Sequence, residues 1–316
     1  MSDKLYFKYW AKADRNEKAE NPSFHLLPYH CLDVAAVGKV LLNRNKPLLD
    51  FFVENAGLDE TTFVGTTLYF LALHDIGKFS DAFQGLREDL LHRLQGTTKS
   101  KPYDLRHDSL GFLLWQEHLE KQFCSAHLPD QDDQESVWDW QDFFEIWALA
   151  FTGHHGQPPK GSDRPVSRWF LSENIQAAEE FSQFCGAFFL NKVSYAAPED
   201  FSAWNRQMRY LSWWLAGFVV LCDWLGSNSD FFHPHSKPLD LETYWQEIAL
   251  PKAEQIIQKT DILPLPTRDP APLSKLFPFI STPTPLQKKA GDIQLGRGPH
   301  LFILEDVTGA GKTEAA

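Results

Sequence analysis

The stretch Leu71-Ala72-Leu73-His74-Asp75-Ile76-Gly77-Lys78-Phe79 constrains most strongly what this chain can become. It closes a nearly uncharged run from Phe63 to Leu73, which reads as a buried helix. An imidazole and a carboxylate at the end of such a helix cost free energy unless they bind each other, a partner or a metal. Divalent metals take both groups readily. The chain offers more of the same donors in the same setting: His30, His107, the pair His154-His155, and Asp223 each stand in or beside an apolar segment. Singly, each has an ordinary explanation as a core or loop residue. Together, in one order and each with its own predicted helix, they point to one site.

His30 lies in the apolar run His25 to Leu42, and Asp33, three residues on, shares its helix face. Gly77-Lys78 ends the His74-Asp75 helix. His107 starts a helix read over Asp108 to Lys121, after a polar loop from Gly96 to Asp104. The apolar helix Phe143 to Phe151 runs into Thr152-Gly153-His154-His155-Gly156, where the flanking glycines let both rings approach one point. Met208 to Leu225, the most apolar segment, ends at Asp223 and is closed by Gly226, Ser227 and Asn228. An acid there needs a partner, and a metal or a buried Lys would serve. Further helices are predicted over Ala177 to Phe189 and Leu241 to Lys259, with a helix start at Asn21-Pro22-Ser23. The acidic stretch Pro129 to Gln141 reads as a solvated loop. Trp213, Trp214 and Trp224 sit in apolar helical context and read as core packing.

The length of 316 residues suits one large or two ordinary domains, and 43% hydrophobic residues suffice for a sizeable core. No apolar run is long enough to cross a membrane. The four cysteines, Cys31, Cys124, Cys185 and Cys222, form no CxxC pair and read as reduced packing residues. With the polar start Met1-Ser2-Asp3-Lys4, they suggest a cytosolic protein. A net charge of −12 argues against a broad basic surface that holds DNA by charge alone. It leaves room for a nuclease, because bound metal ions and a few local cations can receive phosphates.

From Asp261 the character changes. Prolines at 264, 266, 270, 272, 278, 283 and 285 make a stiff linker. Thr284-Pro285-Leu286-Gln287 opens a short polar helix, and His300 to Glu305 reads as a short buried strand. The strand leads into Thr308-Gly309-Ala310-Gly311-Lys312-Thr313, a phosphate loop. In such a loop backbone N–H groups cradle phosphates, Lys312 meets the terminal ones, and Thr313 holds magnesium. Asp306 stands where the strict pattern has Gly, which the helicase variant of the loop does not require. The sequence stops three residues after Thr313, so no ATP hydrolysis is expected of this stretch alone. The expected organisation is a metal-dependent domain over residues 1–260, a Pro-rich linker over 261–285, and the start of a nucleotide-binding domain over 286–316.

Taken together, the chain resembles the HD superfamily of metal-dependent phosphohydrolases. Its motif order is similar to that of the CRISPR-associated nuclease-helicase of type I systems, nearest the subtype whose surveillance complex is called Cascade. The resemblance spans essentially the whole chain. It rests on Tyr9-Trp10-Ala11-Lys12, Tyr29-His30-Cys31-Leu32-Asp33-Val34-Ala35, His74 to Phe79 with Phe83-Gln84, His107, His154-His155, Ala216-Gly217 through Asp223-Trp224-Leu225-Gly226-Ser227, and the Gln287 and Lys312 motifs. It implies an all-α HD domain followed by the first strand and phosphate loop of a RecA-like helicase domain. It also implies two metal ions about 3.5–4 Å apart. Asp75 would bridge them. His30, His74 and Asp223 would complete one site, and His107, His154 and His155 the other. Lys78 would polarise the scissile phosphate and Ser227 would help position it.

The reaction so implied is hydrolysis of single-stranded DNA by a metal-activated water. Histidine-rich ligation favours iron, manganese, cobalt or nickel over magnesium. In the full-length protein Gln287, Gly309, Gly311, Lys312 and Thr313 would bind ATP with magnesium. The implied partners are single-stranded DNA, the Cascade complex and an anti-CRISPR inhibitor protein, with no membrane. Two other readings stand beside this one: an HD phosphohydrolase acting on nucleotides, and a docking module that uses the aromatic-rich segment Leu5 to Trp10.

Overall fold

The computed structural model describes residues 4–14, 23–128, 134–264, 271–294, 296 and 300–316. The chain divides into two compact units, Met1–Leu263 and Pro264–Ala316. The predicted helix start at Asn21-Pro22, most of the charged stretch before it, and part of the Pro-rich linker lie outside the described residues.

The first unit is a helical body with one small sheet, strands β1 (Trp10–Ala13) and β2 (Phe24–Leu26) paired antiparallel. The long helices are α1 (Leu27–Arg44), α2 (Lys46–Ala56) and α3 (Glu60–Ala72). Two short helices follow, α4 (Asp81–Gln84) and α5 (Glu88–Gln95), then α6 (His107–Leu114), α7 (Glu120–His127), α8 (Gln134–Thr152), α9 (Ser172–Phe189) and α10 (Phe201–Gly226). Helices α11 (Leu241–Tyr244) and α12 (Leu250–Lys259) close the unit.

Helix α3 is the central element. Asp59 caps it by accepting from the Thr62 backbone N–H at 3.0 Å, and Thr62 to Ala72 are buried apart from Val64. It ends one residue before Leu73, so His74 and Asp75 sit in the turn between α3 and a 3₁₀ helix over Ile76–Phe79. Helix α1 begins with Pro28 in its first turn and is buried from Leu27 to Gly38. Between α11 and α12 the turn widens to a π segment, Trp245–Ala249, just before Pro251. Proline has no N–H to give and its ring crowds the carbonyl four residues back, so the widened turn lets the helix continue.

Three expectations need correction. The stretch Pro129 to Gln141 is not a loop throughout, because α8 already starts at Gln134 and Trp140 is buried in the core. Trp140 stacks on Phe144 and edges against Trp204, so an aromatic anchor outweighs the acidic composition around it.

Trp213, Trp214 and Trp224 are not core residues: they are 82%, 60% and 72% exposed. Helix α10 buries Met208, Leu211, Leu215, Phe218, Val219 and Cys222, a stripe at helical spacing that excludes all three tryptophans. Apolar residues lie all around this helix, so composition did not reveal which face is covered.

The third correction falls in the second unit, which holds α13 (Leu273–Leu276), α14 (Pro285–Gly291) and α15 (Lys312–Ala315). His300 to Glu305 forms no strand, and Leu301 and Ile303 are 88% and 78% exposed. No strand among the described residues of that unit offers a ladder to pair with.

Candidate metal centre

Four segments converge on the turn after α3. The turn itself carries His74 and Asp75, both 1% exposed, and Lys78. Helix α1 presents His30, α6 presents His107 at its first residue, the end of α8 leads into His154 and His155, and the last turn of α10 presents Asp223. Close backbone approaches make this convergence possible. A Cβ on Gly77 would lie 1.9 Å from the His107 carbonyl oxygen, so only glycine lets α6 bring His107 this near to Asp75. A Cβ on Gly226 would lie 2.9 Å from the Val34 Cα, so the same device seats the end of α10 against α1.

The two carboxylate oxygens of Asp75 face different neighbours. Oδ2 lies 3.0 Å from His30 Nε2, 3.4 Å from His74 Nε2 and 2.6 Å from Lys78 Nζ. Oδ1 lies 3.4 Å from His107 Nε2 and 3.5 Å from His154 Nε2. Asp223 Oδ1 adds to the first group, 3.6 Å from His30 Nε2 and 3.7 Å from His74 Nε2. His155 joins the second, its Nε2 2.9 Å from His107 Nε2. The structure thus brings together His30, His74, Asp75, Lys78, His107, His154, His155 and Asp223. Ser227 is one turn past Asp223, and its hydroxyl donates to Asp223 Oδ1 at 2.8 Å.

The ring orientations are set from behind. His74 Nδ1–H donates to the Leu71 carbonyl at 2.8 Å and His154 Nδ1–H to the Phe151 carbonyl at 3.2 Å. Each leaves Nε2 pointing at Asp75, the arrangement a metal-binding imidazole uses. The Tyr103 hydroxyl does the same for His107: it accepts from the His107 backbone N–H and hydrogen-bonds Nδ1, both at 3.0 Å. Tyr103 was invisible in the sequence because it lies in a polar loop with no periodicity. Asp33 turns away from His30 despite the shared spacing. It holds His25 Nε2 and the Tyr244 hydroxyl, each at 2.9 Å.

The electrostatics follow from burial and these partners. Burial pushes Asp75 up, but Lys78 and His74 outweigh it and hold the carboxyl well below the usual range. Burial also opposes charge on His74, yet Asp75 and Asp223 raise it to about 9. On the other side burial wins, lowering His154 to about 4 and His107 to about 3. Burial and the nearby Lys12 likewise keep His30 well below its ordinary value.

These residues fit divalent cations. His30 Nδ1, His74 Nε2 and Asp75 Oδ1 are buried without a hydrogen-bond partner, a costly state that a cation at the centre would relieve at the latter two. Donor atoms of His30, His74 and Asp75 lie within 4.8 Å of one another, as do those of His74, His154 and Asp223, and those of His107, His154 and His155. Imidazole with carboxylate suits zinc-like and later transition ions better than magnesium.

In the second unit Gln287 Nε2 donates to the Gly311 carbonyl at 3.2 Å, and the Thr284 hydroxyl to the Ala310 carbonyl at 2.9 Å. Gly309 and Gly311 take positive φ, 85° and 73°. Lys312 Nζ donates to the carbonyls of Asp306 and Val307, and Thr313 follows at the start of α15.

The family model described as "Cas3, HD domain" matches residues 10–232. The chain is 29% identical to the CRISPR-associated endonuclease/helicase Cas3 of Escherichia coli, covering 98% of this chain and 36% of that protein. It is 26% identical to the protein of that name from Thermus thermophilus, covering 95% of this chain and 31% of the relative. The chain therefore spans about a third of the length of these relatives. A crystal structure of T. fusca Cas3-ATP matches with a TM-score of 0.63 at 22% identity, over 98% of this chain and 33% of that one. The Thermus thermophilus Cas3 HD domain in the presence of Ni2+ matches with a TM-score of 0.52 at 21% identity, over 81% of this chain and 91% of that one. The fold is the helical HD fold, and the chain belongs to the Cas3 HD-domain family.

Proposed function

We propose that this chain is the metal-dependent nuclease part of a CRISPR-interference protein, and that it hydrolyses single-stranded DNA at a two-metal centre. The observation that carries this is the division of Asp75, whose two oxygens face two separate sets of nitrogen donors. His30, His74 and Asp223 would hold one ion and His107, His154 and His155 the other, with Asp75 offering one oxygen to each set. Nickel, cobalt, manganese or iron suit these donors. When bound there, such ions would supply a water of lowered pKa and positive charge for the phosphate oxygens.

The protein's own groups do the rest. The backbone carbonyls of Leu71 and Phe151 and the Tyr103 hydroxyl fix the imidazoles, so the donors are preorganised. Lys78 stays bound to Asp75 and offsets carboxylate charge at the floor of the centre. Ser227 orients Asp223 through its hydroxyl, so its effect on the phosphate is indirect. Entry is from the side of His155, the exposed donor, and a flexible single strand can bend a phosphate into that recess more readily than a duplex.

By analogy with the endonuclease/helicase name of its relatives, the full-length protein would also be a helicase; delivery of the strand and recruitment by the Cascade complex are what the sequence resemblance implies. Gln287, Gly309, Gly311, Lys312 and Thr313 would there bind ATP.

The test is incubation with circular single-stranded DNA in manganese, cobalt or nickel, beside a deoxynucleotide triphosphate, with a His74→Ala/Asp75→Ala variant in parallel. Loss of the circle with the wild type alone supports the proposal. Consumption of the nucleotide alone makes the chain a small-molecule phosphohydrolase. Equal cutting by the variant refutes the metal assignment.

A further inference from the structure

Lys12 is a half-buried lysine in β1 whose side chain makes no hydrogen bond or ion pair among the described residues. Its strongest electrostatic neighbours are Asp223, Lys78, Asp75 and Asp33, so its ammonium lies in the field of the metal centre. Burial pushes it down to about 8 while Asp223 and Asp75 pull it back up.

Its placement is built, not incidental. Gln84 clamps the strand: Nε2 donates to the Trp10 carbonyl at 3.0 Å, Oε1 accepts from the Trp10 N–H at 3.2 Å, and the Trp10 indole donates to the Gln84 carbonyl at 3.3 Å. The same Nε2 donates to the Lys78 carbonyl at 2.7 Å. One side-chain amide thus ties together the two lysine-bearing segments. The strand pairing shifts register between Trp10 and Lys12, a bulge of the kind that re-aims a side chain. Lys12 then pairs with His25, and the His25 ring is pinned from both sides, to Asp33 and to the His235 backbone N–H.

The two lysines are in different states. Lys78 is committed to Asp75 at 2.6 Å. Lys12 is a half-buried cation with no hydrogen-bonded or ion-paired anion among the described residues, a state that an arriving anion would improve. We propose that Lys12 is a phosphate-binding residue of this centre, receiving a non-bridging oxygen of the DNA strand on the Asp223 side. This rests on the nuclease reading above.

The test is steady-state cutting of a fluorescently labelled single-stranded oligonucleotide in manganese, at several salt concentrations, with manganese uptake measured by calorimetry. Lys12→Gln should raise KM about tenfold, the loss of one charged contact worth about 1.4 kcal/mol. It should also reduce the slope of log kcat/KM against log salt by about 0.7, one phosphate contact on a single strand. Manganese uptake should match the wild type, and Lys12→Arg should restore most of the affinity. Lys12→Met keeps the aliphatic stem and reads the same quantities if the Gln variant folds poorly. An unchanged KM and salt slope, or manganese uptake lost together with activity, overturns the proposal. If the wild type itself leaves the strand intact, the nuclease reading falls and this proposal falls with it.

Discussion

The two sides of Asp75 are chemically alike and physically different. Around Oδ2, His30 and His74 are each 1% exposed and Asp223 closes the set from α10. Around Oδ1, His154 is buried, His107 is half-buried and His155 is exposed. The first set stands on helices whose flanking residues are core. The second stands on the first residue of α6 and on a glycine-bounded turn after α8. One carboxylate therefore joins a ligand set that is part of the core to one that faces solvent. Removing a donor from the first set should damage the fold as well as the chemistry, whereas removing the exposed His155 from the second should damage the chemistry alone.

Asp75→Ala should have the largest effect. It strips the shared carboxylate from both sets and leaves the buried Lys78 without its ion-pair partner, a loss of about 3–5 kcal/mol for a broken buried pair. Chemical denaturation should show this shift, and cutting should fall to background. A variant that keeps activity or stability would show that Asp75 joins nothing.

Next come His74→Ala and His155→Ala, compared directly. Both should abolish cutting. His74→Ala should lower the unfolding midpoint of the metal-free chain, because Asp75 and Asp223 lose a buried imidazole. His155→Ala, an exposed position, should stay within about 0.5 kcal/mol of the wild type. Equal destabilisation by the two would erase the distinction between the two ligand sets.

The pH dependence of the metal-free chain sharpens the same contrast. His74 is raised from 6.5 to about 9, so its stabilising charge is fully present below pH 6.5 and is lost as pH rises towards 9. His154 is lowered from 6.5 to about 4, so its contribution is present above pH 6.5 and is lost as pH falls towards 4. These opposing histidines place the maximum near pH 6.5 as far as they govern it. His74→Ala should flatten the alkaline limb alone, and His154→Ala the acid limb alone, as read by thermal unfolding across pH in a chelator. Saturating nickel should flatten the alkaline limb and steepen the acid limb, because metal-bound imidazoles stay neutral while those of the unfolded chain take up protons below pH 6.5.

The smallest expected effect is that of Ser227→Ala. Its hydroxyl supports one ligand from behind, so metal affinity should fall about tenfold, the lower end for such a support. Calorimetric titration would show it, with the second binding step unchanged. A loss on both steps would mean that Asp223 serves both ions.

Much of the centre is legible without coordinates, for a physical reason. Ionisable residues at the ends of apolar helices stand out because burying them alone is expensive, and His74-Asp75, His154-His155 and Asp223 all have that signature. The helices were equally legible where one face is apolar, as in α1 and α12. Legibility failed where composition and packing point different ways. Helix α10 is apolar on every side, so its exposed Trp213, Trp214 and Trp224 looked like core. Residues 134–141 are acidic and nevertheless helical, because Trp140 is buried against Phe144. Residues 300–305 have a strand's composition without a strand to pair with among the described residues. Tyr103 gave no signal at all, since a loop tyrosine becomes a histidine's partner only when the chain folds back on itself.

The sequence alone determined that this chain forms apolar helices with metal-type donors at their ends, since both follow from local composition and the cost of burying charge. The tertiary structure alone decided which oxygen of Asp75 faces which histidine, that Asp33 serves His25 and Tyr244, and that Lys12 has no ion-pair partner among the described residues. Those outcomes depend on where helices cross, and the crossings are set by backbone approaches such as that of Gly77 to the His107 carbonyl. No local pattern encodes such an approach, because it exists only between segments that are distant along the chain.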